Sequence, residues 1–534
     1  MLELHSEISN AQTKAVLDNS NIVLDLSDSL EKDFFKPSAE FDEPENLKKF
    51  KEKTPFFIII TILYGLFYTF CMYKNPCGIT APLYVLGTLG YFYIGTKQIV
   101  ANFELKNYKR LFLYAAVVFA LGINLCVTTD TVLVVLDHIG IILVTAVALL
   151  SVYYSENKWG IGKYFSSIIN VVFGGAGRGF SLFGDFKDYL SSKMTKEENS
   201  YTRYIVAGIF LSTPLLIVVI VLLSSADKFF ADLVANILIA VFEFKLFTHM
   251  DLFLSVAISA LVVYGALRGL CNKCIKESVE ENKGNAIIAC TVNCIVGFVY
   301  VIFSGYQIIY LFMGNMTIPE GYSYAEYARQ GFFQLVCVCL INMVIVLAGI
   351  YKFEYNKALK ASLLLISACT YIMIASSTIR MMMYVSAYQL TYTRLFVFLA
   401  LIVIFLEMNG IVITIIKPEF PLFKYSMVMV TACYLIFAYS RPCGIIARNN
   451  LDSRFCEDAD GRIDYSRIDF NYINTHLGSD AAPEVMAAAL RENNTEFDEA
   501  IERFFEYSDC DYTVRTWNYS LWRLKSLVNY ENTK

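Results

Sequence analysis

The sequence predicts an all-α protein: a polytopic transmembrane helix bundle of about eleven spans, followed by a small carboxy-terminal helical domain. Three observations carry this. Of 534 residues, 56% are hydrophobic and 15% aromatic while only 17% are charged, far from a soluble average. The apolar residues gather into runs of about 20, the length that crosses a hydrocarbon core roughly 30 Å thick at about 1.5 Å per residue. Both ends of the chain are polar and acidic, and the second carries helix-capping patterns.

Residues 1–54 form an acidic tail with 7 basic against 12 acidic groups, and they lack the basic start and apolar core of a signal peptide. The bundle occupies residues 55–440, with apolar runs at 55–72, 80–100, 111–127, 131–153, 205–224, 252–270, 286–313, 331–350, 358–376, 395–416 and 425–439. The second run carries glycines and a proline, and the ninth is rich in Ser, Thr and Cys; membrane helices tolerate these where neighbouring helices cover them. Residues 441–534 hold 11 basic against 17 acidic groups, which leaves the bundle at +6. Acidic ends around a basic membrane region argue against nucleic acid and make the lipid bilayer the first partner. In the tail, Asp480 reads as a helix cap with Pro483 in the first turn, and Thr495 opens a second capping pattern. Trp517, Leu521, Leu524 and Val528 recur at helical spacing. Most of the fourteen cysteines lie within apolar runs, where they act as small apolar residues rather than as a disulfide framework.

Lys and Arg in short loops mark the cytoplasmic side of a membrane protein. Loops after even-numbered runs are the richer ones, with Lys97, Lys106, Lys109 and Arg110 after the second and seven basic residues in 158–203 after the fourth. This puts the amino-terminal tail in the cytoplasm and the carboxy-terminal domain outside, against the local pull of Arg441, Arg448 and Arg454. The loop 155–204 reads as an interfacial helix and hinge. Its Gly174-Gly-Ala-Gly-Arg-Gly179 reads as a flexible linker, since no strand precedes it and no Gly-Lys-Ser/Thr closes a phosphate loop.

The same parity gathers the unusual connections onto one face. Asp227 follows the fifth run, and Tyr324, Glu326, Tyr327 and Arg329 crowd the mouth of the eighth. Arg380, Tyr384 and Tyr388 recur every four residues, one stripe on a helix, with Arg394 just beyond. A planar, always charged guanidinium beside phenol hydroxyls suits an anionic group such as a carboxylate or phosphate. The competing reading pairs these arginines with Asp227, Glu326 or lipid headgroups to lock helices together. Three ionisable groups fall inside runs, Asp137, His138 and Glu407, where charge is costly and faces a cavity or a partner. They read as proton or ion sites, or as hydrogen-bonded packing groups, Glu407 for instance against the amides of Asn293 or Asn342. No catalytic set, metal-ligand set or cofactor loop accompanies them, and Cys271-Asn-Lys-Cys274 lacks a second pair to complete a four-ligand site.

Ser225-Ala-Asp227, the run from Tyr324 to Phe333, and Arg380 to Arg394 together resemble, in order, the pattern of a bacterial multi-pass membrane family catalogued as domain of unknown function 4173. The likeness extends over residues 55 to 530 and departs at Gln389, where that pattern has Gly, and at Gln330, where a second Arg is common. It implies an integral membrane protein of a bacterial plasma membrane and supplies no activity. The expected function is binding of an anionic small molecule or lipid at the outer-face cluster, with transport as one form of it. The alternative is a sensor or scaffold acting through a protein partner. An enzyme is disfavoured, because Asp227 stands without a nucleophile, metal set or nucleotide loop.

Overall fold

The computed structural model describes residues 44–100, 103, 109–154, 159–193, 250–272, 283–309, 324–452, 468–492, 495–507 and 512–531, with isolated positions 212, 219 and 223. The fifth predicted span, 205–224, lies outside the described residues. Every element named below is helical, and the one β-type contact among the described residues is an isolated bridge, Gly284 to Phe353.

Nine described helices are long and apolar enough to cross a membrane. They are α2 (Thr54–Met72), α4 (Lys109–Val127), α5 (Thr131–Tyr153), α8 (Met250–Cys271), α9 (Ala286–Gln307), most of α10 (Tyr324–Lys352) and of α11 (Lys357–Tyr388), α12 (Tyr392–Ile416) and α13 (Leu422–Tyr439). Between α2 and α4 stands α3 (Thr80–Ile99), whose glycines and threonines keep it out of that set. It runs antiparallel to α2 over the full length. Lys53 Nζ meets Gln98 Oε1 at one end, Thr61 bonds Tyr91, Tyr64 bonds Thr88, and Thr80 Oγ1 donates to Cys71 O at the other. The chain is therefore an integral, multi-pass membrane protein. Outward-facing Ile287, Ile295, Phe298 and Ile302 are each at least 60% exposed, as side chains bathed in lipid rather than water would be.

The helices form two packed groups. The first buries Phe57, Tyr91, Leu150, Tyr264 and Leu267 from α2, α3, α5 and α8, together with Phe50 of the short α1 (Glu45–Glu52). The second buries Phe332, Leu363, Met373, Met408 and Ile411 from α10, α11 and α12. Two elements join them. Helix α13 reaches back so that Tyr439 donates to Ala120 O of α4 and Tyr434 to Asp137 of α5. At the other end Tyr164 stacks on Phe423 with ring centroids 3.7 Å apart.

Tyr164 belongs to α6 (Ile161–Arg178), which with α7 (Ser181–Lys193) corrects the interfacial-helix-and-linker expectation. The glycine-rich segment is the last turn of α6, not a linker. Helix α6 runs antiparallel along α8, with Gly175 against Ala266 and Gly179 against Leu261, the middle of α8. The chain turns there, and α7 returns, where Asp185 accepts from Tyr264 (2.8 Å) and from Arg268 through Nε (2.6 Å) and Nη2 (3.0 Å). The hairpin thus dips about halfway into the bundle. Its turn is closed by its own bonds at that depth: Leu182 N bonds Gly179 O, Phe183 N bonds Phe180 O and Ser181 Oγ bonds Arg178 O. The glycines are required because backbone meets backbone at this crossing.

The tail helices α14 (Pro442–Asn450), α15 (Phe470–His476), α16 (Ala482–Glu492), α17 (Thr495–Tyr507) and α18 (Tyr519–Glu531) bury Cys443, Ile446, Ile473, Val485, Phe504 and Leu524 in a core that they share with Leu390 of the bundle. It sits on the bundle end formed by the connections after α2, α4 and α11. Replacing Gly265 by leucine is expected to cost about 1–3 kcal/mol through overpacking, since a Cβ there collides with the backbone at Gly175 O and Gly179 N. The thermal midpoint of the solubilised protein reads this out. Gly90→Ala, whose Cβ finds nothing within 4 Å, is the control, and an equal fall in both would discard the packing argument.

Candidate functional site

The bundle end beneath the tail is built on helix termini. The last carbonyls of a helix have no partner within it. Here the tail supplies them: Arg515 Nη1 donates to Phe70 O and Tyr73 O, and Asn518 Nδ2 donates to Leu125 O (3.2 Å) and Thr128 O (2.8 Å). Ile79 N bonds Trp517 O at 2.8 Å, Asn450 exchanges two bonds with the Leu390 backbone, and Tyr472 accepts from Tyr392 N.

The Arg380 stripe exists as a helical face. Tyr384 and Tyr388 lie 5.3 Å apart, ring to ring, one and two turns beyond Arg380 on α11. Arg380 is 7% exposed, and its Nη2 lies 3.5 Å from Gln307 Oε1 of α9, which also accepts from Ser376 Oγ at 2.7 Å. Arg394 does different work. Its guanidinium covers the Tyr384 ring at 4.2 Å, while Nη1 donates to Tyr388 O at 2.5 Å and to Gln389 O. Gln389 ends α11 at φ 63°, ψ 176°, a backbone region suited to glycine, which accounts for the glycine expected at this position. Arg394 therefore pins a strained turn. Tyr324, Glu326, Tyr327 and Arg329 fall on the first turns of α10, which packs along α11; their side chains lie outside the described residues, as does Asp227.

The intramembrane groups separate. Asp137 is fully buried and receives Asn124 Nδ2 at 2.8 Å from α4 and Tyr434 OH at 2.7 Å from α13. His138 is directed elsewhere: its Nδ1 is 2.7 Å from Val134 O of its own helix, and its ring faces Tyr84. Glu407 does not take the amides expected for it, since Asn293 pairs with Ser362 and Asn342 with Thr370. It receives Ser426 Oγ of α13 at 2.5 Å on Oε2, and its buried Oε1 has no hydrogen-bond partner among the described residues.

With this geometry in place, comparison with known families is decisive for kinship: the model of the domain of unknown function DUF4153 matches residues 115–488. The chain belongs to the DUF4153 family. This corrects the resemblance drawn from the tyrosine motif, which pointed to a differently numbered family; both are uncharacterised. No curated protein and no solved structure matches the chain.

Two clusters escaped the sequence reading. One is Asp185 with Arg268 and Tyr264, in the hairpin. The other lies beneath the tail, where Asp130 caps α5 through Val132 N (2.8 Å) and Leu133 N (3.1 Å) and accepts from Cys443 Sγ at 2.8 Å. Next to it Asp480, 4% exposed, takes the Thr128 hydroxyl and, at 3.4 Å, Thr129 N, so it ties the tail to the bundle instead of capping α16. Asp130 was readable as a cap, from its place just before an apolar run; its partner 313 residues away was not. Among the described residues, no group of three His, Cys, Asp or Glu could hold a metal ion.

Burial pushes the Asp480 carboxyl above its usual range, with hydrogen bonds from Ser520 and Thr128 and the charge of Arg441 opposing and Asp130 adding to it. Burial and Asp130 likewise push the Cys443 thiol well up. A carboxyl raised in the docked state stabilises docking fully below its free value, and that contribution is lost as pH rises through the raised value. Asp480→Asn is therefore expected to hold the tail more tightly than wild type near neutral pH and equally in acid. Hydrogen exchange of α18 against pH measures this; parallel profiles for the two proteins would refute it.

Proposed function

We propose that this integral membrane protein binds an anionic extracytoplasmic or envelope-associated ligand at the bundle end where α10 begins and α11 ends, and moves it across a bacterial plasma membrane. The observation that carries this reading is Arg380, a guanidinium buried to 7% at the end of a membrane helix. An arginine this deep in a membrane protein marks a ligand path or a tightly held partner. The planar fork, with Tyr384 one turn and Tyr388 two turns away, matches a carboxylate or phosphate. Arg394 holds the adjoining turn and stands behind the site, not in it. The loop charges put this end and the tail outside and the amino terminus in the cytoplasm.

A second reading is a sensor whose tail domain reports movement of the bundle to a protein partner. It draws on the direct bonds between the tail and the ends of α2, α4 and α12.

Uptake by reconstituted vesicles, scanned over small carboxylates and phosphates, separates the two. Arg380→Ala should lower uptake roughly ten- to hundred-fold, the worth of a charge-assisted bond of about 1.5–3 kcal/mol. Arg380→Lys should recover part of it. Full uptake in well-folded Arg380→Ala and Tyr384→Phe would sink the site. Val514, 90% exposed on the tail, tests orientation: as Val514→Cys it should react in intact cells with a membrane-impermeant maleimide.

A further inference from the structure

We propose that Asp137 and Glu407 are a pair of proton-binding sites that bond α13, a helix that joins the two halves of the bundle, from two different neighbours. Each carboxyl bonds α13 from a different helix: Asp137 on α5 through Tyr434, and Glu407 on α12 through Ser426. Ser426 and Tyr434 are eight residues apart, about 12 Å along the helix axis. Asp137 lies about 9 Å below the start of α5, and Glu407 about 14 Å from the end of α12 that opens on the opposite face. The pair therefore brackets the middle of the membrane.

The donors that reach these carboxyls are neutral: an amide and a phenol for Asp137, a hydroxyl for Glu407. The titratable groups beside Asp137 among the described residues include Tyr434 and Tyr439 of α13, with Asp130 lying toward Tyr434, and its neighbour His138, whose ring is turned to Val134 O. Those around Glu407 are Tyr425 and Cys433 of α13. Neither carboxyl has a cationic side chain as hydrogen-bond partner among the described residues. A carboxylate at membrane depth without a cation is stabilised by taking up a proton.

The geometry accommodates both states of Asp137. Ionised, it accepts from Asn124 and Tyr434. Protonated on Oδ1, it donates to the Tyr434 oxygen, and the phenol hydrogen turns to Leu133 O, which lies 3.4 Å from that oxygen. The proton enters and leaves with no other bond broken. At Glu407 one oxygen is held by Ser426 and the other, Oε1, is the unoccupied position for the proton. Asp137 is one of the contacts that tie α13 to the first half, beside Tyr439 on Ala120 O and Phe423 on Tyr164, so its charge state bears directly on how the halves meet.

This inference is independent of the ligand at the mouth, and its test needs no ligand. Infrared pH-difference spectra of the full-length protein in lipid nanodiscs should show two protonated-carboxyl signals that come and go with pH. Asp137→Asn should remove one and Glu407→Gln the other. Tyr434→Phe, which keeps the ring and the carboxyl, should shift the Asp137 signal and leave that of Glu407 in place, and it covers the case in which Asp137→Asn does not fold. Signals that ignore pH, or that survive both substitutions, would overturn the proposal. Both signals intact in a protein that transports nothing would uphold it while removing the transport reading.

Discussion

A polar side chain inside a bilayer is costly unless it finds a partner in the protein, because no water is there to supply one. That requirement organises this molecule. Packed helices are tied by side-chain pairs at depth: Thr61 with Tyr91 and Tyr64 with Thr88 between α2 and α3, and Asn293 with Ser362 between α9 and α11. Asn342 with Thr370 ties α10 to α11, and Tyr371 with Asn409 ties α11 to α12. Such bonds average about 0.6 kcal/mol in a membrane protein, so their sum is modest. Their effect is on register: a helix that slid by one turn would strand several polar groups in hydrocarbon at once.

The same rule governs the helix ends and explains the tail. Carbonyls that close α2 and α4 are taken by Arg515 and Asn518, residues more than 380 positions further along the chain. The tail core is small, and its stability is joined to the bundle surface that it completes. Buried Asp130 and Asp480 at this joint add a cost that their hydrogen bonds must meet, whereas the Asp185–Arg268 pair at the opposite end is fully bonded and fastens the re-entrant hairpin to α8.

What the sequence disclosed follows from which terms are local. Run length and loop charge are local, so the helical membrane class and most of the spans were readable; of the two runs marked as unusual, the second, α3, falls short of the spanning set, while the ninth, within α11, belongs to it. The Arg380, Tyr384 and Tyr388 face was readable because one helix period fixes it. Partner choice was not. Glu407 could have met any amide at its depth, and the crossing angles that bring Ser426 to it instead are set by packing throughout the second half. The glycine-rich segment failed for a related reason: glycines that suit a flexible linker also suit a backbone-to-backbone crossing, and only the facing Gly265 distinguishes the two.

The two arginines of the third motif show why proximity to a mouth does not define a binding residue. Arg394 spends donors on the carbonyls of Tyr388 and Gln389, and its planar face on Tyr384. Gln389 sits at positive φ, which costs a non-glycine residue of order 1–3 kcal/mol and persists where its surroundings over-determine it. Arg394 is a large part of those surroundings. Its removal would release the turn, shift Tyr384 and Tyr388 together, and disturb Arg380 through their shared helix. A loss of function at Arg394 would therefore report the turn, whereas Arg380, whose Nη2 reaches Gln307 of α9, tests the proposed charge directly. The motif thus divides into a clamp and a charge, and the clamp holds the charge in position at the end of α11.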